Sequence, residues 1–392
     1  MPIYLDHSAT TPLDPTVLET MLPFFSQHYG NSKAVHAFGR EADRAVERAR
    51  ASVATLLNCA PNEVVFTSGG TESDNLALRG PAQFARTEGR PITLITGPVE
   101  HHAISLTARH LVETLGATLR IVPVDHFGRV APDDLRAALD NLPAGGLALV
   151  SLIHTNNEIG TRSDIAALAA VAHEHGALFH TDAVQSGGYL ALDVPALGVD
   201  MLSLSSHKFY GPKGAGVLVL GDGVPFLTST SGASHEDGRR AGTHNVPGIV
   251  GTAAALEYVR ANMDVHNAHL TRLRERLVSG ILEQVPDAEL TGHPTDRLPG
   301  HASFVFQGIE STMLLMHLDQ HGIAASSGSA CKVGNPKPSA LLGALGYGPE
   351  WTLGGLRLSL GFHTTEDEID TVLDVLPGIV ERVRKLHAVS LS

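Results

Sequence analysis

The sequence predicts an α/β fold, with a mostly parallel central sheet in a large unit and a smaller α+β unit beside it. Two observations carry this. Short β-branched or Leu-rich runs alternate with longer segments of helical periodicity over roughly the first 245 residues, the pattern of strand–helix–strand units. Several of these runs are apolar throughout rather than alternating, as strands covered on both faces are. The length, 392 residues, suits two or three domains of about 150 residues each.

Taken in order, strands are expected over 63–67, 92–96, 119–123, 147–152, 177–181, 201–205 and 216–220. The clearest helix is 40–57, where Ala42, Ala45, Val46, Ala49, Val53, Leu56 and Leu57 recur at three- and four-residue steps. From about Val246 the pattern changes. A long helical stretch over 248–284, read as two helices, leads to strands near 303–306 and 356–360 and a closing helix over 366–387. The large domain is therefore placed at 16–250, and the small domain at 1–15 plus 251–392. Residues 328–338 (GSACKVGNPKP) carry no periodicity and read as an exposed loop.

Composition excludes several classes of function. Apolar residues make up 43% and charged residues 18%, a globular balance. The formal charge of −13 argues against a nucleic-acid or anionic-membrane surface as the main partner. No apolar run approaches the ~18 residues of a membrane span. The first residues hold no basic stretch followed by an apolar core, so no signal peptide is expected. Two cysteines, Cys59 and Cys331, rule out a disulfide framework and four-cysteine metal sites; a reducing, cytoplasmic compartment is expected.

Three segments carry chemistry. Ser68-Gly-Gly-Thr-Glu-Ser-Asp-Asn75 follows an apolar strand and opens a helix. Free N–H groups and hydroxyls there suit a phosphate, although a plain capped helix start reads the same way. Asp182 closes the apolar run before Ala-Val-Gln185, at the sheet edge where ligands bind. Its carboxylate is placed either to hold a heterocyclic nitrogen protonated or to cap a helix. The third segment is more specific. An apolar strand delivers Ser205, Ser206, His207 and Lys208 into the Gly/Pro-rich turn Phe-Tyr-Gly-Pro-Lys-Gly. A lysine at a strand end beside hydroxyls and a histidine fits a Schiff-base lysine whose aldehyde partner carries a phosphate.

The Lys208 segment resembles the lysine signature of the class-V aminotransferase-like pyridoxal-phosphate (PLP) enzymes. The remaining motifs resemble the cysteine desulfurases within that group: Leu5-Asp-His-Ser-Ala-Thr-Thr-Pro12, Gly30-Asn31 with His36 and Gly39, Val99-Glu-His101-His, His154-Thr-Asn-Asn157-Glu-Ile-Gly160, Arg239-Arg-Ala-Gly-Thr243, Ser326-Ser-Gly-Ser-Ala-Cys331, Arg357-Leu-Ser-Leu-Gly361 and Thr364-Thr-Glu-Asp-Glu-Ile369. They span nearly the whole chain.

The resemblance implies the PLP-transferase fold and a reaction taking L-cysteine to L-alanine. It implies that Lys208 holds PLP and shuttles the Cα proton, Asp182 pairs with the ring nitrogen, and Gln185 meets the ring hydroxyl oxygen. His101 stacks on the ring and serves proton transfer. Gly70, Thr71, Ser205 and His207 hold the phosphate, and Thr243 reaches the phosphate of a partner subunit, making the enzyme a homodimer. Asn157 and Arg357 bind the substrate carboxylate, which a planar guanidinium meets bidentately; Asn157 also belongs to the cofactor site. Cys331 takes the sulfur as a persulfide and passes it to an acceptor protein, an iron–sulfur scaffold or a carrier for thio-cofactor or tRNA thiolation. No resident metal is expected; Cys331 alone is a candidate transient iron–sulfur ligand. Cys59 reads as structural. A selenocysteine-preferring lyase and an aminotransferase are the alternatives on this scaffold, and Cys331 argues against transamination.

The sequence departs from the family pattern in three places. Gly232-Ala-Ser-His-Glu236 stands where a Gly-Gly-Gly stretch is usual, Lys332-Val333 where Thr-Ser is, and Phe362-His363 where Arg-Phe is.

Overall fold

A computed structural model describes residues 2–328 and 337–390, with side chains through 386. A seven-stranded sheet forms its centre, in the order Val64–Thr67, Gly216–Leu220, Met201–Ser205, Leu178–Asp182, Leu147–Ile153, Ile92–Thr96, Thr118–Ile121. Gly216–Leu220 alone runs against the others. The five strands from Val64–Thr67 through Met201–Ser205, Gly216–Leu220, Leu147–Ile153 and Ile92–Thr96 are buried at every position, which is why they lack polar alternation. Thr118–Ile121 lies at the sheet edge and is partly exposed.

Helices cover both faces. Gly70–Thr87 packs on His102–Leu115, and Ala37–Leu57 packs on the long helix Val246–Gln284. Ala37–Leu57 starts where His36 accepts the Gly39 N–H and ends at Asn58 in the left-handed region, φ 54°. Val246–Gln284 is one continuous helix of 39 residues, not the expected two. Its N-terminal and C-terminal parts both carry buried faces, while its middle, around Ala261–Asn267, is half-buried or exposed. That polar middle mimics a break in the sequence.

The C-terminal part adds an antiparallel sheet of Ala288–Leu290, His301–Phe306 and Gly355–Ser359, with the helix Glu366–Ser390. The N-terminal arm joins this region rather than the main sheet: Ile3–Tyr4 pairs with Ile323–Ala324, and Asp6 bridges to Ser359.

A buried ion pair fastens the segment before Thr243. Arg50 binds Glu236 through both terminal nitrogens at 2.8 and 2.9 Å. Glu236 also accepts the Phe66 N–H at 3.0 Å and shares a hydrogen bond with His244 at 2.7 Å. Burial alone would raise the Glu236 pKa, but His244 and Arg50 hold it down to about 2. Glu236 and Asp237 both take positive φ, 49° and 52°, and this over-determined anchor holds the strained turn. The Ala233-Ser234 departure needs no special conformation: positive φ falls on the flanking Gly232 and Glu236, not on Ala233 or Ser234. Phe362, the other departure with described side chains, stacks on Tyr210 and His266, with ring centroids 4.2 and 3.7 Å apart. Among the described residues no helix is long and apolar enough to cross a membrane.

Candidate active site

The C-terminal ends of the parallel strands surround a cavity of about 300 Å³, the edge where open α/β sheets bind ligands. Topology brings distant segments there. Leu178–Asp182 ends on Asp182, and Met201–Ser205 ends on Ser205 and turns through Ser206–Lys208. Val64–Thr67 leads into helix Gly70–Thr87, placing Gly70 and Thr71 in its first turn. His101 caps the helix His102–Leu115, and Asn157 follows Leu147–Ile153. These residues, with Gln185, His207 and Arg357, all line the one cavity. Thr243 is exposed and lines no part of it. Cys331 lies outside the described residues.

The Lys208 amine donates to the carbonyl oxygens of Ser8 and Ala9 at 2.6 and 2.7 Å. The N-terminal arm therefore holds this amine, a role its sequence did not signal. Burial lowers the Lys208 pKa to about 8 and Arg357 adds to that, while Asp182 and Asp6 pull the other way. The neutral fraction of this amine rises as pH climbs through 8. Competitive amine labelling of the cofactor-free protein should therefore show half-maximal Lys208 reactivity near pH 8, against about 10.4 for an ordinary lysine. A midpoint above 10 would contradict this environment.

Asp182 is buried and accepts the Val184 N–H at 2.9 Å. Burial raises its pKa; that N–H, His101 and Lys208 oppose the rise. His101 opens onto the cavity, and its Nδ1 accepts the Ala103 N–H at 3.1 Å, leaving Nε2 free of that bond. Enough protein surrounds the ring that desolvation lowers its pKa despite Asp182. Gln185 donates to the Ser8 carbonyl at 2.9 Å.

Gly70 and Thr71 begin an 18-residue helix whose first N–H groups have no intrahelical partner. Ser205 and His207 line the same cavity, and burial lowers His207 to about 4. Arg357 is buried, with one terminal nitrogen on the Asn157 backbone oxygen at 2.9 Å and the other on Asp6 at 2.7 Å. Its Nε–H has no partner. A carboxylate at the inner wall, an amine, a helix N-terminus with hydroxyls, and a guanidinium with an unused donor form a donor set suited to a phosphorylated pyridine aldehyde and an amino acid.

Sequence reasoning passed over Asp74 and Glu100. Asp74 lines the cavity one helical turn beyond Gly70, and Glu100 accepts the Ile153 N–H at 3.1 Å. The one available signal for Asp74 was a carboxylate two residues before the apolar run Leu76-Ala-Leu78.

The class-V aminotransferase family model matches residues 3–372. Cysteine desulfurase IscS of Dictyoglomus turgidum is 42% identical over 384 residues, covering 98% of this chain and 96% of that protein. A cysteine desulfurase of Sinorhizobium fredii is 42% identical, covering 99% of each. A solved NifS-like protein superposes with a TM-score of 0.89 at 35% identity, covering 97% of this chain and 100% of its own. The apo cysteine desulfurase of Thermococcus onnurineus superposes with a TM-score of 0.84 at 26% identity, covering 97% and 95%.

Fold and cavity together define a PLP-dependent enzyme of the class-V aminotransferase type. Within that class, the chain belongs to the cysteine desulfurase family.

Proposed function

We propose that this chain converts L-cysteine to L-alanine and moves the sulfur onto Cys331. The Cys331 thiol and the cysteine substrate become a Cys331 persulfide and alanine, so one C–S bond breaks, one S–S bond forms, and the atoms balance. An acceptor protein then takes the outer sulfur. The convergence of Lys208, Asp182 and Arg357 on one cavity carries this reading.

PLP, when bound, supplies an electron sink for charge developing at the substrate Cα. Lys208 would hold it through its amine, and Nζ would carry the Cα proton; without cofactor, burial lowers the pKa of that amine to about 8. Asp182 would meet the ring nitrogen, His101 the ring and Gln185 the ring oxygen; Gly70, Thr71, Ser205 and His207, which line the same cavity, would meet the phosphate. Arg357, with its unpaired Nε–H, and Asn157 orient the substrate carboxylate. Cys59 is no rival nucleophile: it lines no part of the cavity, and burial with Glu63 nearby pushes its thiol up to about 11. A thiol that must be free at each turnover suits the reducing cytoplasm. The purified enzyme, given L-cysteine and a thiol reductant, should release sulfide and alanine in equal amounts; pyruvate or ammonia as the main product would refute the reading.

The enzyme works as a homodimer in this reading. Leu22, Phe25, Tyr29, Val35 and Phe38 are exposed large apolar groups within one short segment, and Val35 is 89% accessible. Ser32 in that segment meets His244 at 2.8 Å, next to Thr243. The patch and the threonine thus adjoin, which supports Thr243 reaching the partner's phosphate. Phe25→Asp combined with Val35→Asp should give a monomer by sedimentation with weakened PLP binding. A double variant that stays dimeric and binds PLP normally would refute this interface.

We also read the chain as two units, 16–250 and 1–15 with 251–392. The pairing of Ile3–Tyr4 with Ile323–Ala324 and the separate three-stranded sheet support this division.

A further inference from the structure

Asp74 sits in the cavity wall with 1% of its surface accessible, and its Oδ1 has no hydrogen-bond partner. Atoms of Asp74, Asp182 and His101 lie within 4.8 Å of one another. Two basic rings stand nearby: His101, whose pKa burial lowers, and His180, whose Nε2 stands 3.8 Å from Asp74 Oδ1. His180 is committed elsewhere. Its Nδ1 meets the Ser151 hydroxyl and its Nε2 the Ser203 hydroxyl, each at 2.9 Å, and burial lowers its pKa to about 3. It is a neutral ring and no counter-ion. From the neighbouring segment Glu100 adds a third carboxyl group, with Oε2 unpartnered.

Carboxylates this close in a low-dielectric wall do not all ionise. Asp182 has claims on its charge: the Val184 N–H at 2.9 Å and the Lys208 amine, which lowers its pKa. In Asp74 burial comes first, and Asp182 and Glu100 then push its pKa further up, well above the ordinary value, with only the Ser203 hydroxyl opposing.

We propose that Asp74 is a positioning residue for Asp182: it stands in the cavity wall as an uncharged acid and turns its O–H toward the Asp182 carboxylate. This rests on the reading that Asp182 meets the cofactor ring nitrogen. A neutral donor beside Asp182 stabilises its charged form, so Asp182 stays the anion of this wall and the ring nitrogen keeps its proton. An ionised Asp74 would do the reverse, pressing a proton onto Asp182 and weakening its hold on the ring.

The test loads the holoenzyme with PLP labelled with ¹⁵N at the ring and follows that resonance with pH. Asp74→Asn keeps a neutral donor of the same shape and should keep the protonated-ring resonance with PLP affinity within about threefold. Asp74→Leu removes the donor and should lower the ring-nitrogen titration midpoint by about one pH unit, a tenfold change. A wild-type resonance in Asp74→Leu, or loss of ring protonation in Asp74→Asn, overturns the proposal. Asp182→Asn is the control for the underlying reading; if it leaves the ring protonated, that reading fails instead. Should Asp74→Leu not fold, infrared difference spectra of the cofactor-free protein decide. A protonated-carboxyl band that disappears in Asp74→Asn supports the proposal; its absence from the unsubstituted protein, or a band left unchanged by Asp74→Asn, overturns it.

Discussion

Lys208→Ala is expected to leave a folded, colourless protein whose alanine production falls by on the order of 10³ or more. The change removes only the side chain that the Ser8 and Ala9 carbonyls hold in the cavity. The surrounding support is independent of it. Tyr210 donates its N–H to Thr11 at 2.7 Å, and Phe362 donates its N–H to the Tyr210 hydroxyl at 2.8 Å. Melting of the cofactor-free variant should accordingly stay close to that of the cofactor-free parent. Covalent retention of PLP after borohydride reduction, one adduct per chain in the parent, should vanish. With free PLP supplied, exogenous amine should restore part of the rate, because it can carry the Cα proton in place of the missing side chain. Undiminished turnover by the variant would refute the role of Lys208 outright.

Much of this architecture was legible because burial writes itself into composition. Met201–Ser205 and Gly216–Leu220 coincide with their expected ranges, and both are buried throughout. The long helix reads as two in the sequence because its exposed middle interrupts the apolar periodicity between two packed ends. At the site, Asp182 and Lys208 drew attention because Asp182 ends an apolar strand and Lys208 lies in the turn directly after one. The family resemblance, not the local pattern, points Arg357 to a carboxylate, and its pairing with Asp6 across the fold carried no signal at all. The same limit hid the Ser8 and Ala9 carbonyls, which any residue type could supply. Asp74 and Glu100 were hidden for a different reason. A carboxylate near a helix start reads as a favourable end charge, and only the packed sheet reveals that water is excluded around it. The Glu236 anchor likewise joins residues 50, 66, 236 and 244, a contact no local pattern encodes.

The second large effect separates sulfur transfer from every other reaction this scaffold could support. The proposed mechanism gives activation at Cα and capture of sulfur to different residues, so removing the thiol should spare the first and abolish the second. Cys331→Ala should bind PLP with the parent's visible spectrum and still change colour when L-cysteine is added. It should form no persulfide, and its alanine production should drop by about 10³ or more. The chain holds only two cysteines, which makes the control simple. Cys59 packs against the main core, and its thiol is pushed up to about 11, so at pH 8 only about one part in 10³ is thiolate. Cys59→Ala should therefore turn over at the parent rate and carry persulfide on Cys331, measured by mass spectrometry after trapping with an alkylating agent. Alanine formed by Cys331→Ala at a near-parental rate with thiol present would overturn thiolate attack. The cavity would then belong to a lyase or transaminase that happens to accept cysteine.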